Sequence, residues 1–370
     1  MKKKILYILS HPIQYQSPLI KNLNKSKKIE LDVMYETNYS IKKYFDHEMN
    51  KKIKFDVDLL SGYNYKFAST NGKINFFKNI KKFIFLITKK KYNYVWLHGY
   101  DNFSKLFIII LAKIFFLKVI IRGESSHYSL KDKNKISIYI KKIFFYFLNF
   151  FTNFFLVIGK SNYKFYKKMN IKDEKLKMVN YVVDNSFFQS KIKRIKKKKK
   201  FIFLYVSKLI ERKNPKLLIN SFKKLPENLK KNSDLIIVGD GILKNALRKE
   251  YKDKNIYFKG FVNQNKICNF YNNCNVFILP SKEENWGLVI NEVMNFKKPI
   301  LCSSVVGCNL DLVKNNLNGY IFQNNNERDL TKKLQNCFNK RKLNKFGKNS
   351  FAIINKWNID YVVNQFEKII

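Results

Sequence analysis

Glu284 and Glu292 stand eight positions apart in EENWGLVINE (283–292), in a chain with 73 Lys and Arg against 27 Asp and Glu. A carboxylate accepts hydrogen bonds and donates none, so a spaced pair suits a ligand rich in hydroxyl groups. Gly287 lies between them and lets a ligand approach the backbone. The N–H groups of Gly287, Leu288 and Val289, at the start of a predicted helix, offer an anion site. Upstream, YVSKLIERKNPKLLINSF (205–222) carries Lys208 and Lys213 among its cations. LIIVGDG (235–241) is a strand running into a glycine turn at Gly239, and IYFKGFV (256–262) a strand followed by Phe261 and Val262. Taken singly, each Glu reads equally well as a surface acid and each Lys as one of many; the surrounding elements decide.

Those elements form two series. Short apolar runs at 4–9, 30–35, 94–98, 118–122, 154–159 and 177–182 alternate with helical patterns, as do runs near 201–206, 234–239, 255–258, 275–279, 299–302 and 319–322. Such alternation predicts parallel α/β sheets. Between the series lies KIKRIKKKKK (191–200), a run that repels itself and is expected to be a solvated linker. The domains expected are therefore 1–190 and 201–354, with a helical tail over 355–370 packing back on the first. Asn214-Pro215 predicts a capped helix start with proline in the first turn, and Asn263 a cap for a helix through Tyr271. Two doubly wound halves joined in this way are expected to hold a ligand in the cleft between them.

With 370 residues and 46% hydrophobic side chains, the chain can fill two cores. Its formal net charge of +46 favours anionic partners, and the joint enrichment in Lys, Asn, Ile, Phe and Tyr is equally what an AT-rich genome would produce. Five cysteines, all in the second half and without a Cys-x-x-Cys, fit reduced thiols in a cytoplasmic protein better than a metal site. The N-terminal apolar run is too short for a signal peptide. LFIIILAKIFFLKVII (106–121) and IFFYFLNFFTNFFLVIG (143–159) are interrupted by charged or polar residues, and each reads as a buried helix leading into a buried strand. Apolar residues at 77, 80, 84 and 87 among lysines make 74–92 a basic amphipathic helix, able to pack on a sheet or to lie on an anionic bilayer.

PSKEENWGLVINEVM…KKPI resembles the Glu-x7-Glu segment of retaining glycosyltransferases of family 4, with Val293 where Ala is usual and Lys298 where Gly is usual. SSVVGCNLDLVKNNLNGYIF (303–322) continues the match through Gly307 and Asn318-Gly319. The resemblance implies a GT-B fold: two Rossmann-like, doubly wound parallel-sheet domains facing a central cleft. It also implies a hexosyltransferase-type enzyme that moves a sugar from a nucleotide diphosphate donor to an acceptor hydroxyl without a metal, in bacterial surface polysaccharide or lipopolysaccharide synthesis. Carried over residue by residue, Glu292 would hold the ribose and Glu284 the donor sugar. Lys208, where arginine is usual, and Lys213 would hold the diphosphate, and Gly239, Phe261 and Val262 would lie beside the nucleotide. Asp184 and Phe188, closing the first domain, would be structural. In the first half the usual glycine loop is replaced by SHPIQYQSP (10–18), and His11, His98 and Glu124, at or just beyond predicted strand ends, are the expected acceptor side. The partners implied are a nucleotide-sugar and a glycan or lipid-linked glycan; the positive charge adds an expected peripheral contact with anionic membrane, at the inner face of the cell membrane, and no basic-aromatic motif points to nucleic acid. A GT-B epimerase or phosphorylase, or a polyanion-binding protein without turnover, are the alternatives.

Overall fold

The computed structural model describes residues 2–131, 133–193 and 200–370. The chain divides into two compact units: one of residues up to Tyr44, Val57–Val183 and Ile359–Ile370, the other of Phe45–Asp56 and Asp184–Asn358. The first holds β1 (Lys3–Leu9), β2 (Ile29–Thr37), β5 (Asn64–Ser69), β6 (Tyr94–His98), β7 (Lys118–Arg122), β8 (Phe154–Val157) and β9 (Leu176–Met178), in the order β5-β2-β1-β6-β7-β8-β9. The second holds β10 (Phe201–Val206), β11 (Ser233–Val238), β12 (Ile256–Gly260), β13 (Val276–Leu279), β14 (Ile300–Ser303) and β15 (Gly319–Phe322), in the order β12-β11-β10-β13-β14-β15. Between β2 and β5 two short strands, β3 (Tyr44–Asp46) and β4 (Lys51–Ile53), pair as a ribbon.

All pairings within the two large sheets are parallel. Helices cover both faces of such sheets, so the central strands read as unbroken apolar runs; Ile5 to Leu9 are all fully buried. In each sheet the strand order reverses beside the first strand, between β1 and β6 and between β10 and β13. Loops at the carboxyl ends of strands on either side of such a reversal diverge and leave room for a ligand.

On one face of the first sheet, Phe83, Ile108, Ile109, Phe145 and Leu148 from the helices Phe76–Lys89, Phe103–Ile114 and Lys135–Phe151 fill one core. In the first of these helices the inward positions centre on Asn79 and Phe83, whereas Phe77 and Ile84 are exposed. Of the apolar residues at 77, 80, 84 and 87, Ile80 and Ile87 pack against the core and Phe77 and Ile84 turn outward, the inward face centring on Asn79, which donates to Glu36 and Ser104. On the other face Tyr7 stacks on Trp96 with ring centroids 3.8 Å apart, and Trp96 stacks on Phe366 of the C-terminal helix Ile359–Glu367. That helix is also fixed by Ser26 Oγ donating to Glu367 (2.6 Å) and Asn180 N donating to Gln365 (3.2 Å).

The chain leaves the first unit at Val183, ahead of the expected linker at 191–200, whose residues 194–199 lie outside the described residues. Asp184 caps the helix Asn185–Ser190, Phe188 is fully buried, and the Asn185 amide donates to Ile354 O and Trp357 O. These bonds commit the segment before the lysine run to the second unit. Neither Asn214 nor Asn263 caps with its side chain. Asn214 occupies the left-handed region at φ 51° ahead of Pro215, and the Asn263 amide donates to Lys54 O. Lys298, buried where the resembling family has glycine, donates to Asn272 O (2.9 Å) near the end of the helix Gln264–Asn273. The five cysteines are free and buried.

Because Phe366 is fully buried against Trp96, Phe366→Ala should cost about 3 kcal/mol in urea unfolding. The exposed Ile242→Ala should change stability little; equal effects would contradict the anchoring role of the terminal helix.

Candidate functional site

In the second unit the loop after β10 meets the loop after β13. Arg212 O accepts from Lys282 N (2.9 Å) and Glu283 N (3.4 Å), so the two backbones are laced together. This lacing brings the Lys213 ammonium onto the Glu284 carboxylate, with both side chains largely buried. Removing either partner of so buried a pair would strand the other in poor solvent. Glu284 is fixed by its main chain as well: its O accepts from Gly307 N (2.9 Å), and Trp286 O accepts from Cys308 N (3.0 Å), which brings in the loop after β14.

Gly287 follows with φ 97°, in the left-handed region that favours glycine, and a Cβ there would sit 3.2 Å from both Leu279 and Val306. Leu288 and Val289, both half-buried, open the helix Leu288–Met294, and Glu292 lies inside it. Glu292 is buried and accepts from the Tyr271 hydroxyl at 2.5 Å. The expected carboxylate pair thus has one member paired to a lysine at a loop junction and the other held by a tyrosine within a helix.

Gly239, at the end of β11, has φ 142°, and a Cβ there would come within 1.8 Å of Ser207 O, so the turn after β11 lies directly on the loop after β10. Leu209 N donates to Asp240 O (2.9 Å) across the same contact. Phe261 and Val262 are half-buried in the loop after β12. Loops at the carboxyl ends of three neighbouring strands, β11, β10 and β13, therefore carry Gly239, Lys208, Lys213, Glu284 and Gly287.

The structure adds residues that the sequence reading did not single out. The Lys208 ammonium donates to Asp46 Oδ2 (2.9 Å), Asp46 Oδ1 (3.2 Å) and Glu48 Oε2 (2.7 Å), and Arg212 donates to Glu48 at 3.3 Å. Asp46 and Glu48 belong to the β3–β4 ribbon, which also sends Lys51 to Asp240 (3.5 Å). Burial works to raise both carboxyls, but Lys208, with Arg212 beside Glu48, outweighs it and holds them below their ordinary range. Lys208, Arg212 and Lys213 form a cationic cluster, already countered by three carboxylates. Arg212 was visible beside Lys213 in the sequence; Asp46 and Glu48 are too distant along the chain for any local signal.

In the first unit His98, at the end of β6, lies between Tyr7 OH (2.8 Å from Nδ1) and Glu124 Oε1 (3.1 Å from Nε2). Tyr7 OH also lies 3.1 Å from Gln16 Oε1. Arg122 is fully buried at the end of β7, 4.9 Å from the centre of the Tyr181 ring, and donates to Asn180 O (3.3 Å). Burial pushes the His98 imidazole below its ordinary value against the pull of Glu124. Burial works to raise Glu124, while His98, Tyr181 and Arg122 leave it below its ordinary value. The Glu124 side chain keeps 38% of its surface, so this relay ends in an ionised carboxylate open to solvent. His11 stands apart from the relay, bonded to Ser10 Oγ (2.9 Å) and edge-on to Tyr39. His127 contacts Ser161 Oγ (3.1 Å). Among the described residues no three or more His, Cys, Asp or Glu side chains gather as a metal site would require.

Burial, reinforced by Lys105 and His98, pushes the His11 imidazole down from 6.5 to about 4. The unfolded chain therefore binds the extra proton first, so this contribution is intact above pH 6.5 and is lost as the pH falls toward 4. His11→Gln should flatten the fall of Tm over that window relative to the unsubstituted chain; identical slopes would contradict a buried neutral imidazole.

Residues 186–352 match the family model described as "Glycosyl transferases group 1". The UDP-Gal:alpha-D-GlcNAc-diphosphoundecaprenol alpha-1,3-galactosyltransferase of Escherichia coli is 32% identical over 180 residues, 47% of this chain and 45% of that protein. The Campylobacter jejuni GalNAc-alpha-(1->4)-GalNAc-alpha-(1->3)-diNAcBac-PP-undecaprenol alpha-1,4-N-acetyl-D-galactosaminyltransferase is 26% identical over 310 residues, 82% of this chain and 81% of that protein. The chain thus spans less than half the length of the first relative and most of the second. The crystal structure of Anabaena HepE in complex with UDP and glucose superimposes with a TM-score of 0.74 at 14% identity, covering 99% of both chains. Residues 186–352 are accordingly a glycosyl transferases group 1 domain, on a chain that has the GT-B fold.

Proposed function

We propose that the chain is a retaining glycosyltransferase that moves a sugar from a nucleoside diphosphate donor to a hydroxyl of a glycan or lipid-linked glycan, at the cytoplasmic face of the cell membrane. The observation that carries this reading is the Lys213–Glu284 pair, which joins the loops on either side of the β10/β13 reversal beside Gly287. UDP and glucose in the HepE crystal structure, and the undecaprenol-linked groups in the names of the two bacterial relatives, support the donor and acceptor classes.

In this reading the acceptor oxygen bonds to the anomeric carbon as the bond from that carbon to the diphosphate breaks. The electron pair leaves with the nucleoside diphosphate, and the acceptor proton passes to the departing phosphate oxygen. The chain's part is positioning and charge. Lys208, Arg212 and Lys213 meet the negative charge that grows on the leaving group, where positive charge fixed in advance needs no reorganisation. Once the diphosphate displaces Asp46 and Glu48, these cations do in this reading what a metal ion would otherwise do. Lys213 has three donors and can keep Glu284 while donating to phosphate. Glu284 holds donor sugar hydroxyls and Glu292 the ribose, with Gly239, Gly287, Leu288, Val289, Phe261 and Val262 around the nucleotide. Glu124, oriented by His98, faces the acceptor hydroxyl, with His11 nearby on the same sheet edge.

Thermal stabilisation against UDP, GDP and ADP and their sugars tests the donor assignment, since a ligand at a hundredfold its Kd adds about 2.7 kcal/mol to stability. Glu292→Ala should weaken the stabilising nucleotide by about tenfold or more through two lost hydrogen bonds to a charged group; unchanged affinity would refute the ribose role. The diphosphate has to compete with Asp46 and Glu48 for Lys208, whose three donors they engage. Asp46→Asn combined with Glu48→Gln should therefore tighten nucleotide binding several-fold, and weaker binding would place the diphosphate elsewhere.

A further inference from the structure

The helix Lys135–Phe151 buries only Phe145 and Leu148, while Ile136, Tyr139, Ile140, Ile143, Tyr146 and Phe150 are exposed. Their spacing of three and four residues is one helical stripe, and it faces away from the core. The sequence reading took this helix as buried; the sheet needs only one side of it. The neighbouring helices add to the surface. Phe103–Ile114 packs against Lys135–Phe151 and carries Phe103, 83% exposed, with Phe116, 95% exposed, just beyond its end. Phe76–Lys89 packs against Phe103–Ile114 through the rings of Phe76 and Phe107 and carries Phe77, 80% exposed. So many large apolar side chains on adjoining helices are unusual for a surface that meets only water.

The charges on the same helices indicate what meets it. None of the three contains a single Asp or Glu, and Lys78, Lys81, Lys82, Lys89, Lys135 and Lys142 lie among the apolar residues. Lys82 and Lys89 lie 5.4 and 5.0 Å from the Phe85 ring, their stems along the apolar surface. A second copy of the chain would bring the same positive charge and no carboxylates to answer it. An anionic bilayer answers both properties at once: phosphate headgroups for the lysines, the acyl boundary for the rings. Among the described residues no helix is long and apolar enough to cross a membrane, so this is a surface that lies on one.

We propose that the outward face of the helices Lys135–Phe151, Phe103–Ile114 and Phe76–Lys89 docks the protein on anionic phospholipid. The inference goes beyond the donor chemistry and rests on the proposed reaction only for its purpose, which is to bring the enzyme to a lipid-linked acceptor.

The test is co-sedimentation of the full chain with phosphatidylcholine vesicles, with and without phosphatidylglycerol. Partition onto the anionic vesicles should exceed that onto neutral ones by about tenfold or more and should fall as salt is raised. The triple variant Ile140→Glu, Tyr146→Glu, Phe150→Glu changes only exposed side chains. It should keep the Tm of the unsubstituted chain and lose about tenfold or more of the anionic partition. Equal partition onto neutral vesicles, or a triple variant that still binds, would overturn the proposal. So would a soluble dimer that the triple variant dissociates without any vesicle binding, since the occupant would then be a second copy. None of these readouts involves nucleotide or turnover, so their failure would leave the donor assignment standing, and failure of donor binding would leave the docking face standing.

Discussion

The second unit is organised around one ion pair. Lys213 and Glu284 come from loops on opposite sides of the β10/β13 reversal, and they are mostly removed from water. Neither charge is tolerable there without the other. The pair therefore requires the loops to be in register, and the hydrogen bonds of Lys282 and Glu283 to Arg212 O provide that register. The remaining features follow as consequences: Gly287 must adopt a left-handed conformation between Leu279 and Val306, Gly239 must let a turn lie on Ser207, and Gly307 N must reach Glu284 O.

The same arrangement leaves the cations facing a choice of anions. Lys208 and Arg212 are held by carboxylates of a short ribbon that lies far away in sequence but belongs to this unit. A ribbon of two three-residue strands has little core of its own, and such segments open at low free-energy cost. A diphosphate carries denser charge than two separate carboxylates and can displace them. In the proposed function the ribbon would make binding selective for polyanions strong enough to exchange with it.

The sequence made the two parallel sheets legible, because buried parallel strands read as short apolar runs and twelve of the sheet strands lie where such runs occur. It did not reveal β5, an edge strand whose residues 64–66 are exposed, nor the β3–β4 ribbon, whose strands are too short to show a period. Glu284, Gly287 and Lys213 were legible because each lies in a local pattern of turn, glycine and helix start. Asp46 and Glu48 were not, since only tertiary folding brings them to Lys208. Nor was the relay of Gln16, Tyr7, His98 and Glu124, whose members come from different strand ends. The helix Lys135–Phe151 was misread for a physical reason: apolar residues on every side look the same whether the outer side is covered by protein or by something else.

Amide hydrogen exchange with and without the stabilising nucleotide tests the central claim most directly. If the diphosphate takes Lys208 and Arg212 from the ribbon while the Lys213–Glu284 junction closes around it, peptides covering 207–213 and 281–292 should gain protection, and those covering 45–56 should lose it. Protection confined to other segments, or a ribbon that becomes more protected together with the loops, would contradict the account.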